Sequence, residues 1–456
     1  MSYFGLRSFV HTQASPDSVQ LPTKTGTESL AKLIAEEVPE LREGAYDYLS
    51  PVLFNGDLQT LYAGAGNFEN VNKIYYGRRI IAFPEESNSI VSADYLIPPP
   101  ASKEEWTKLL AYSPLEKTPP YPARTRYLRP EEVAKYERTY TPEDKPLLVL
   151  LHGLSGGSHE SYIRAVIDDI KSKFDCVVLN SRGCARTPIT TPQLFCAIWT
   201  EDIRRFVQIL HKEQPGRRIY LIGFSLGASI LANYLGQQGD LARDDPANKI
   251  DGAIIVANPW DLAHSNQAMH SSYIGSHVYS PVMTKNLVRL LKNHKDVLAQ
   301  NPNFDYEKRL SLKYIYDFDD AFTAPLFGFD SAKDYYRSAS SVHRILGIRV
   351  PTVTINALDD PIVHKDCIPY KEAIKNPYIL LATTSLGGHI GWFKRGNQLW
   401  YPPVITKIFS ALDSIDHTKG VPKAPVSQAH RQLVDGRLQL QFLTEKAPEV
   451  DVKASA

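Results

Sequence analysis

Short uninterrupted runs of apolar residues alternate with amphipathic stretches along the middle and later parts of this chain. The apolar runs lie at 146–151, 174–180, 218–224, 251–258, 350–357 and 378–383. Helical patterns lie between and after them, at 158–173, 201–214, 225–238 and 403–412. Runs of this length fit strands that are buried on both faces. Strands that alternate with helices therefore predict an α/β fold with a mostly parallel, doubly wound sheet.

The predicted sheet is interrupted once and extended at both ends. About 90 residues, 259–347, separate two strands that a single helix would normally join, and they carry four leucines on one helical face: Leu287, Leu290, Leu291 and Leu298. An insertion of this size predicts a helical cap over a functional site. The chain is predicted to divide into five parts: an N-terminal extension (1–145), the first part of the core (146–258), the cap (259–347), the second part of the core (348–415) and a polar tail (416–456). Within the N-terminal extension the pattern predicts a helix (27–37), a strand hairpin (72–83 and 89–97) and a Pro-rich excursion (101–145) with a short helix at 131–138.

Composition narrows the class of protein. The 456 residues carry a net charge of +1, which does not favour a nucleic-acid partner. The four cysteines form no C-x-x-C pair, so reduced thiols and a cytoplasmic location are expected. No apolar run reaches 18 residues and no secretory signal is expected at the N-terminus. Composition leaves open both the oligomeric state and peripheral contact with a lipid droplet or membrane surface.

The segment Gly223-Phe224-Ser225-Leu226-Gly227 has the pattern G-x-S-x-G. It comes directly after a predicted strand and directly before a predicted helix, which is the setting of a nucleophile elbow. Such a turn exposes the serine hydroxyl above the sheet, and its glycines avoid collisions with neighbouring backbone. The alternative is a Gly/Ser turn that only caps a helix. The context favours Ser225 as a catalytic nucleophile.

A serine hydroxyl needs a base that accepts its proton. In this arrangement the base follows the last strand, and His389 stands there, after Gly387 and Gly388. A carboxylate that fixes the imidazole tautomer is expected after the preceding strand, where Asp359 and Asp360 are adjacent. Either carboxylate could do this. The pattern Asp-x-Ile-Val, which resembles the loop start seen in such folds, favours Asp360 and leaves Asp359 as a buttress of the turn.

Acyl transfer also requires donors for an oxyanion. The residue after the nucleophile, Leu226, offers a backbone N–H at a helix N-terminus. The second donor is expected in the Gly-rich loop after the first core strand, His152-Gly-Leu-Ser-Gly-Gly157, with the backbone N–H of Leu154 as the candidate. The alternative for this loop is a plain glycine-rich turn.

Other chemistries find no support in the sequence. There is no P-loop pattern and no H-E-x-x-H, and no Cys/His cluster has zinc spacing, so neither a cofactor nor a metal is expected. His430 and Asp435 have the H-x4-D spacing of some acyltransferases, but they lie in the polar tail and such a match arises readily by chance.

Taken together, the motifs resemble the AB hydrolase 4 family of α/β-hydrolases, whose fungal members include medium-chain fatty acid ethyl ester synthase/esterases and a monoacylglycerol lipase. The resemblance covers about residues 40–412 and rests on these segments: His152-Gly-Leu-Ser-Gly-Gly157, Asn180-Ser-Arg-Gly183, Gly223-Phe-Ser-Leu-Gly-Ala-Ser229, Asn356-Ala-Leu-Asp-Asp-Pro361 and Gly387-Gly-His-Ile-Gly-Trp392. Asn55-Gly-Asp-Leu-Gln-Thr60 is similar to the family's N-G-H-L-Q-T segment, with Asp57 in place of the usual His.

The resemblance implies an α/β-hydrolase fold and a triad of Ser225, Asp360 and His389. It implies a small-molecule acyl ester as substrate, a monoacylglycerol or a medium-chain fatty acid ester, hydrolysed through an acyl-serine intermediate. An alternative within the family is acyl transfer to an alcohol, which forms fatty acid ethyl esters from acyl-CoA. A third hypothesis, a hydrolase-fold protein that only binds, is disfavoured by the intact set of three residues.

Overall fold

The computed structural model describes residues 6–24, 26–115 and 122–424. The strands are β1 Leu6–Ala14, β2 Gln20–Thr23, β3 Gly26–Ser29, β4 Tyr46–Leu49, β5 Tyr75–Phe83, β6 Ser89–Ile97, β7 Thr125–Tyr127, β8 Leu147–Leu151, β9 Asp175–Asn180, β10 Ile219–Phe224, β11 Gly252–Val256, β12 Thr352–Ala357 and β13 Ile379–Thr384. The α-helices are α1 Leu30–Glu37, α2 Gly56–Ala65, α3 Lys103–Leu110, α4 Pro130–Val133, α5 Ser161–Ile170, α6 Glu201–Glu213, α7 Leu226–Gln238, α8 Leu241–Asp244, α9 Leu262–Ser271, α10 Ser280–Leu298, α11 Ile315–Phe318, α12 Ala324–Leu326, α13 Ala332–Ala339, α14 Tyr370–Lys375 and α15 Tyr401–Asp413.

Eleven of the described strands form one sheet in the order β4-β1-β13-β12-β11-β10-β8-β9-β6-β5-β7. The six strands from β13 to β9 in this order pair in parallel. Antiparallel strands extend the sheet on both sides, β1 beside β13 and β6 beside β9. All residues of β8, β10, β11, β12 and β13 are buried, as their continuous apolar runs predict.

The N-terminal part of the chain belongs to the central sheet. The predicted hairpin is β5 and β6, paired from Tyr75 with Ile97 to Phe83 with Ser89. Strand β1 was not predicted, because it buries only Ser8 and Val10 and its other positions are polar or half exposed. The predicted helix at 27–37 begins only at Leu30, since the residues just before it pair with β2. The predicted helix at 131–138 is shorter and ends at Val133.

The long insertion between β11 and β12 contains helices α9 to α13. The predicted amphipathic helix is α10, and its four leucines are all buried among aromatic residues that include Phe318 and Phe322. Of the predicted polar tail, residues 416–424 are described, and His430 and Asp435 lie outside the described residues. No helix in the described ranges combines the length and apolarity needed to cross a bilayer.

Candidate active site

Ser225 occupies the turn between β10 and α7, with φ 52° and ψ −117°. This is a strained conformation for a residue with a side chain. A Cβ at Gly223 would lie 2.4 Å from the carbonyl oxygen of Gly227, and one at Gly227 would lie 2.5 Å from the carbonyl oxygen of His152. Both glycines of G-x-S-x-G are therefore required by close backbone contacts, and the turn holds the hydroxyl of Ser225 beyond the end of the strand.

The three predicted side chains meet at the carboxyl ends of β10, β12 and β13. Nε2 of His389 lies 2.8 Å from Oγ of Ser225, and Nδ1 lies 2.8 Å from Oδ2 of Asp360. The other oxygen of Asp360 accepts the backbone N–H groups of Ile362 (2.8 Å) and Val363 (2.9 Å). With a carboxylate at Nδ1, the imidazole donates there and presents the Nε2 lone pair to the hydroxyl. This arrangement can remove a proton from Ser225.

Asp359, the alternative carboxylate, points elsewhere. Its Oδ1 accepts the backbone N–H of Gly388 at 2.9 Å, so it supports the loop that carries His389. Its Oδ2 is buried and has no hydrogen-bond partner among the described residues. Burial raises the pKa of Asp359 to about 6, and the neighbouring charge of Asp360 adds to this effect. The structure thus pairs Asp360 with the imidazole and makes Asp359 a buttress.

The two predicted oxyanion donors border the same place. Leu226 is the first residue of α7, where a backbone N–H has no partner within the helix. The loop after β8 lies against Ser225, since a Cβ at Gly153 would be 3.4 Å from Cβ of Ser225. Leu154, the next residue, lines the cavities at Ser225. The hydroxyl of Tyr162 accepts the N–H of Gly153 at 2.8 Å and helps to hold this loop.

Two motifs of the family resemblance shape the loop rather than face a substrate. His152 contacts the carbonyl oxygen of Gly153 through Nδ1 (2.7 Å) and accepts the N–H of Ser181 at Nε2 (3.1 Å). Burial lowers the pKa of His152 to about 4, so the ring is neutral at physiological pH and can act as donor and acceptor at once. Asn180 accepts the N–H of Ser158 (3.0 Å) and donates to buried Asp94 (2.9 Å).

Helix α2 supports the other side of the site, a role that sequence reasoning missed. The hydroxyl of Thr60 accepts the backbone N–H of His389 at 2.8 Å and donates to the carbonyl oxygen of Gly56 at 2.6 Å. Gln59 accepts the N–H of Phe393 at 2.7 Å. A Cβ at Gly56 would lie only 1.7 Å from the backbone oxygen of Asp359. The signal that could have found this helix is the segment Asn55–Thr60, which matched a family motif without an assigned role.

Asp57, which replaces the usual His of that segment, connects α2 to the cap. Its Oδ1 accepts the hydroxyl of Tyr279 at 2.9 Å, and Tyr279 belongs to the π-helical turn before α10. The residue at this position therefore makes a polar contact with the cap, although its type differs from the family pattern.

A family model described as the alpha/beta hydrolase fold matches residues 146–393. The chain belongs to the α/β-hydrolase fold family. It is 38% identical over 428 residues to a monoacylglycerol lipase of Saccharomyces cerevisiae, covering 90% of this chain and 92% of that protein. It is 36% identical over 440 residues to medium-chain fatty acid ethyl ester synthase/esterase 2 of the same yeast, covering 89% and 95%. The predicted fold class and the resemblance to the AB hydrolase 4 family are confirmed.

In this α/β-hydrolase, two cavities meet at Ser225. One is an open cleft of about 1720 Å³ between α2, the loop after β8 and the cap helix α10. The other is a chamber of about 120 Å³ beneath the cap. The chamber walls are mainly apolar side chains of the core and the cap, among them Leu194, Leu226, Leu287, Leu290, Phe318 and Phe327.

The chamber also contains one buried carboxyl. Asp319 accepts hydrogen bonds from the hydroxyls of Thr323 (2.6 Å) and Tyr336 (2.7 Å), and burial raises its pKa to about 6. The four cysteines are buried, and none of them forms a disulfide in the structure.

Proposed function

We propose that this protein is a serine carboxylester hydrolase that cleaves acyl esters, such as monoacylglycerols or medium-chain fatty acid esters, through an acyl-Ser225 intermediate. The observation that carries the proposal is the continuous hydrogen-bonded chain from Ser225 through His389 to Asp360. Its distances are those that general-base activation of a hydroxyl requires.

In the first half-reaction, Oγ of Ser225 attacks the ester carbonyl carbon while Nε2 of His389 takes the hydroxyl proton. Asp360 stabilises the imidazolium that forms and holds its orientation. The tetrahedral intermediate then collapses, the bond to the alcohol oxygen breaks, and His389 returns the proton to the leaving alcohol. In the second half-reaction a water molecule attacks the acyl-serine while His389 takes its proton. The bond between the acyl carbon and Oγ of Ser225 then breaks, His389 returns the proton to Oγ, and the carboxylic acid leaves.

The negative charge of each tetrahedral intermediate requires donors that are already in place. We assign this role to the backbone N–H groups of Leu226 and Leu154. The first lies at the N-terminus of α7, where the helix dipole also favours negative charge. The support for the second is the position of its loop against Ser225.

The two cavities suggest where the acyl part and the alcohol part of the substrate bind. The apolar chamber suits the acyl chain, because burying each methylene contributes about 0.8 kcal/mol. Its volume of about 120 Å³ is close to that of cavities that hold benzene, about 150 Å³, which favours a short or medium chain over a long one in this conformation. The open cleft suits the alcohol part and the incoming water. The names of both yeast relatives denote acyl ester chemistry.

The test is active-site labelling with a fluorophosphonate probe, together with hydrolysis of p-nitrophenyl esters of graded chain length and of a monoacylglycerol. Ser225→Ala should abolish labelling and lower kcat by about 10⁴-fold or more, because the nucleophile is absent. Ser271→Ala is the matched control, since that serine is exposed on the cap at the end of α9, and it should label like the wild type. Undiminished labelling of Ser225→Ala would eliminate the proposal.

A second candidate reaction, acyl transfer to an alcohol, shares the same acyl-serine. The open cleft beside Ser225 and the name of one yeast relative, an ethyl ester synthase/esterase, favour it. Supplying acyl-CoA with ethanol should then yield ethyl ester that Ser225→Ala does not form. If added ethanol leaves only free acid as product, hydrolysis is the sole activity. A cytoplasmic location and contact with lipid surfaces stay predictions.

A further inference from the structure

Three potential metal ligands meet where the cap joins the catalytic core. His264 lies in the first turn of α9, whereas His364 and Asp366 lie in the segment that follows Asp360. One donor atom from each residue can be chosen so that all three lie within 4.8 Å of one another. The three residues come from two distant parts of the chain, so the sequence contains no spacing motif that would predict the cluster.

One pair of these ligand atoms already has the spacing that it would have around a bound ion. Zinc–ligand distances of about 2.0–2.2 Å place the ligand atoms of a tetrahedral site about 3.3–3.5 Å apart. Nδ1 of His364 lies 3.4 Å from Oδ2 of Asp366, and it also accepts the backbone N–H of Asp366 at 3.4 Å. The imidazole rings of His264 and His364 are nearly parallel, with 16° between their planes and 6.3 Å between their centroids. The side chains of His264 and Asp366 are exposed, and that of His364 is half-buried.

The backbone beneath these ligands is held independently of any ion. Oγ of Ser265, the residue after His264, contacts Sγ of Cys367, the residue after Asp366, at 3.5 Å, and both side chains are buried. Asp261 caps α9 by accepting the N–H of His264 at 2.9 Å and adds a second carboxylate to this neighbourhood. The cap and core elements are thus already in contact on the inner side of the cluster.

We propose that His264, His364 and Asp366 form a binding site for a divalent transition-metal cation of the zinc type. Two imidazoles and one carboxylate suit zinc, whereas magnesium and calcium prefer oxygen ligands alone. Three protein ligands leave a fourth position for water. The bound ion would join α9 of the cap to the segment after Asp360. Because Leu262 and Ile362, near the ligands on the two sides, both line the chamber, the ion would stabilise one chamber wall.

The test is isothermal titration calorimetry of the EDTA-treated full-length protein with zinc chloride at pH 7.5. One zinc ion should bind per chain, and His264→Ala should weaken binding about tenfold or more. Asp366→Asn should weaken it as well. The matched control is His277→Ala, because His277 is an exposed cap histidine that stacks on Tyr273 outside the cluster; it should bind zinc like the wild type. Magnesium chloride should give no binding heat.

Thermal unfolding supplies a second readout that does not depend on catalysis. Zinc should raise the melting temperature of the wild type and leave that of His264→Ala unchanged, because a ligand that binds only the folded state stabilises it. In EDTA the two proteins should melt together, which shows that the variant is folded. Equal zinc affinity of wild type and His264→Ala, or absence of zinc binding by the wild type, would overturn the proposal. Neither result would bear on hydrolysis at Ser225.

Discussion

Asp359 and Asp360 are adjacent in the chain but have different surroundings. Asp360 is buried and has hydrogen bonds to both carboxylate oxygens, which hold it in place opposite His389. Asp359 has one satisfied and one unsatisfied oxygen, and its charge is disfavoured by burial and by its neighbour. Two identical side chains thus have separate roles because the backbone donors around them differ.

Kinetic measurements can distinguish the roles of Asp359 and Asp360. Asp360→Asn should lower kcat about 10³- to 10⁴-fold, because an amide in this place favours the wrong imidazole tautomer. Asp359→Asn should retain most of the activity, because an amide oxygen can still accept the N–H of Gly388. The measurement is kcat on a soluble p-nitrophenyl ester. A larger loss in Asp359→Asn than in Asp360→Asn would reverse the assignment.

The raised pKa of Asp359 also predicts a dependence of stability on pH. The folded-state pKa of about 6 exceeds the ordinary 3.8, so the folded protein binds more protons than the unfolded chain between pH 4 and 6. The protonated side chain of Asp359 therefore stabilises the folded protein below about pH 4, and this stabilisation is lost as the pH rises through 6. Relative to wild type, Asp359→Asn should therefore gain free energy of unfolding over this window, on the order of 2 kcal/mol.

Urea denaturation of both proteins at several pH values between 4 and 7.5 measures this difference. Asp319, whose pKa is also raised to about 6, titrates in the same window in both proteins and cancels in the comparison. A difference in unfolding free energy that does not change with pH would contradict the expectation.

Helix α2 shows how one element outside the predicted parallel strands controls the geometry of the site. It is capped by Asn55, whose side chain accepts the N–H of Leu58 at 2.9 Å. One turn later Thr60 reaches the backbone of His389, and Gly56 allows the helix to touch Asp359. The helix thus fixes the two loops that follow β12 and β13 relative to each other.

Removing the hydroxyl of Thr60 tests this role. Thr60→Val preserves the shape of the side chain but leaves the backbone N–H of His389 without its acceptor. The unpaired N–H should lower the free energy of unfolding by about 1–3 kcal/mol. We expect kcat to fall about tenfold, because the loop that carries His389 loses one of its anchors. Thr60→Ser keeps the hydroxyl and should restore kcat. Wild-type kcat in Thr60→Val, or equal loss in Thr60→Ser, would show that the contact does not position the imidazole.

The chamber exists only because the cap and the core come together. Leu226 and Ile362 belong to the core, whereas Leu287, Phe318 and Phe327 come from the cap. Substrate selection is therefore expected to depend on cap side chains that are distant in sequence from the triad.

Enlarging the chamber should change chain-length preference. Phe327→Ala removes a ring that lines the chamber and packs edge-on against Trp199. The ratio of kcat/KM for longer over shorter p-nitrophenyl esters should rise about tenfold, the effect of about one extra methylene in an apolar pocket. Phe304→Ala is the control, because Phe304 packs on Phe322 in the same cap cluster and does not line the chamber. An unchanged ratio in Phe327→Ala would place the acyl chain elsewhere.

The sequence alone determined the sheet class and indicated Ser225 and His389 as the candidate nucleophile and base. Buried parallel strands require continuous apolar runs, and the elbow at Ser225 requires glycines at fixed spacing, so both leave local signals. His389 was found because the order of strands places the base after the last one. The polar pattern of β1 carried no such signal, since an antiparallel strand with one solvated face needs little apolar sequence.

Only the tertiary structure decided between Asp359 and Asp360, revealed the support by Thr60, and brought His264 beside His364. Each of these depends on contacts between residues far apart in the chain, and a hydrogen bond such as that between Thr60 and His389 leaves no trace in the sequence near either residue. The chamber is the same kind of feature, because its volume depends on how the cap packs against the core and on no local pattern.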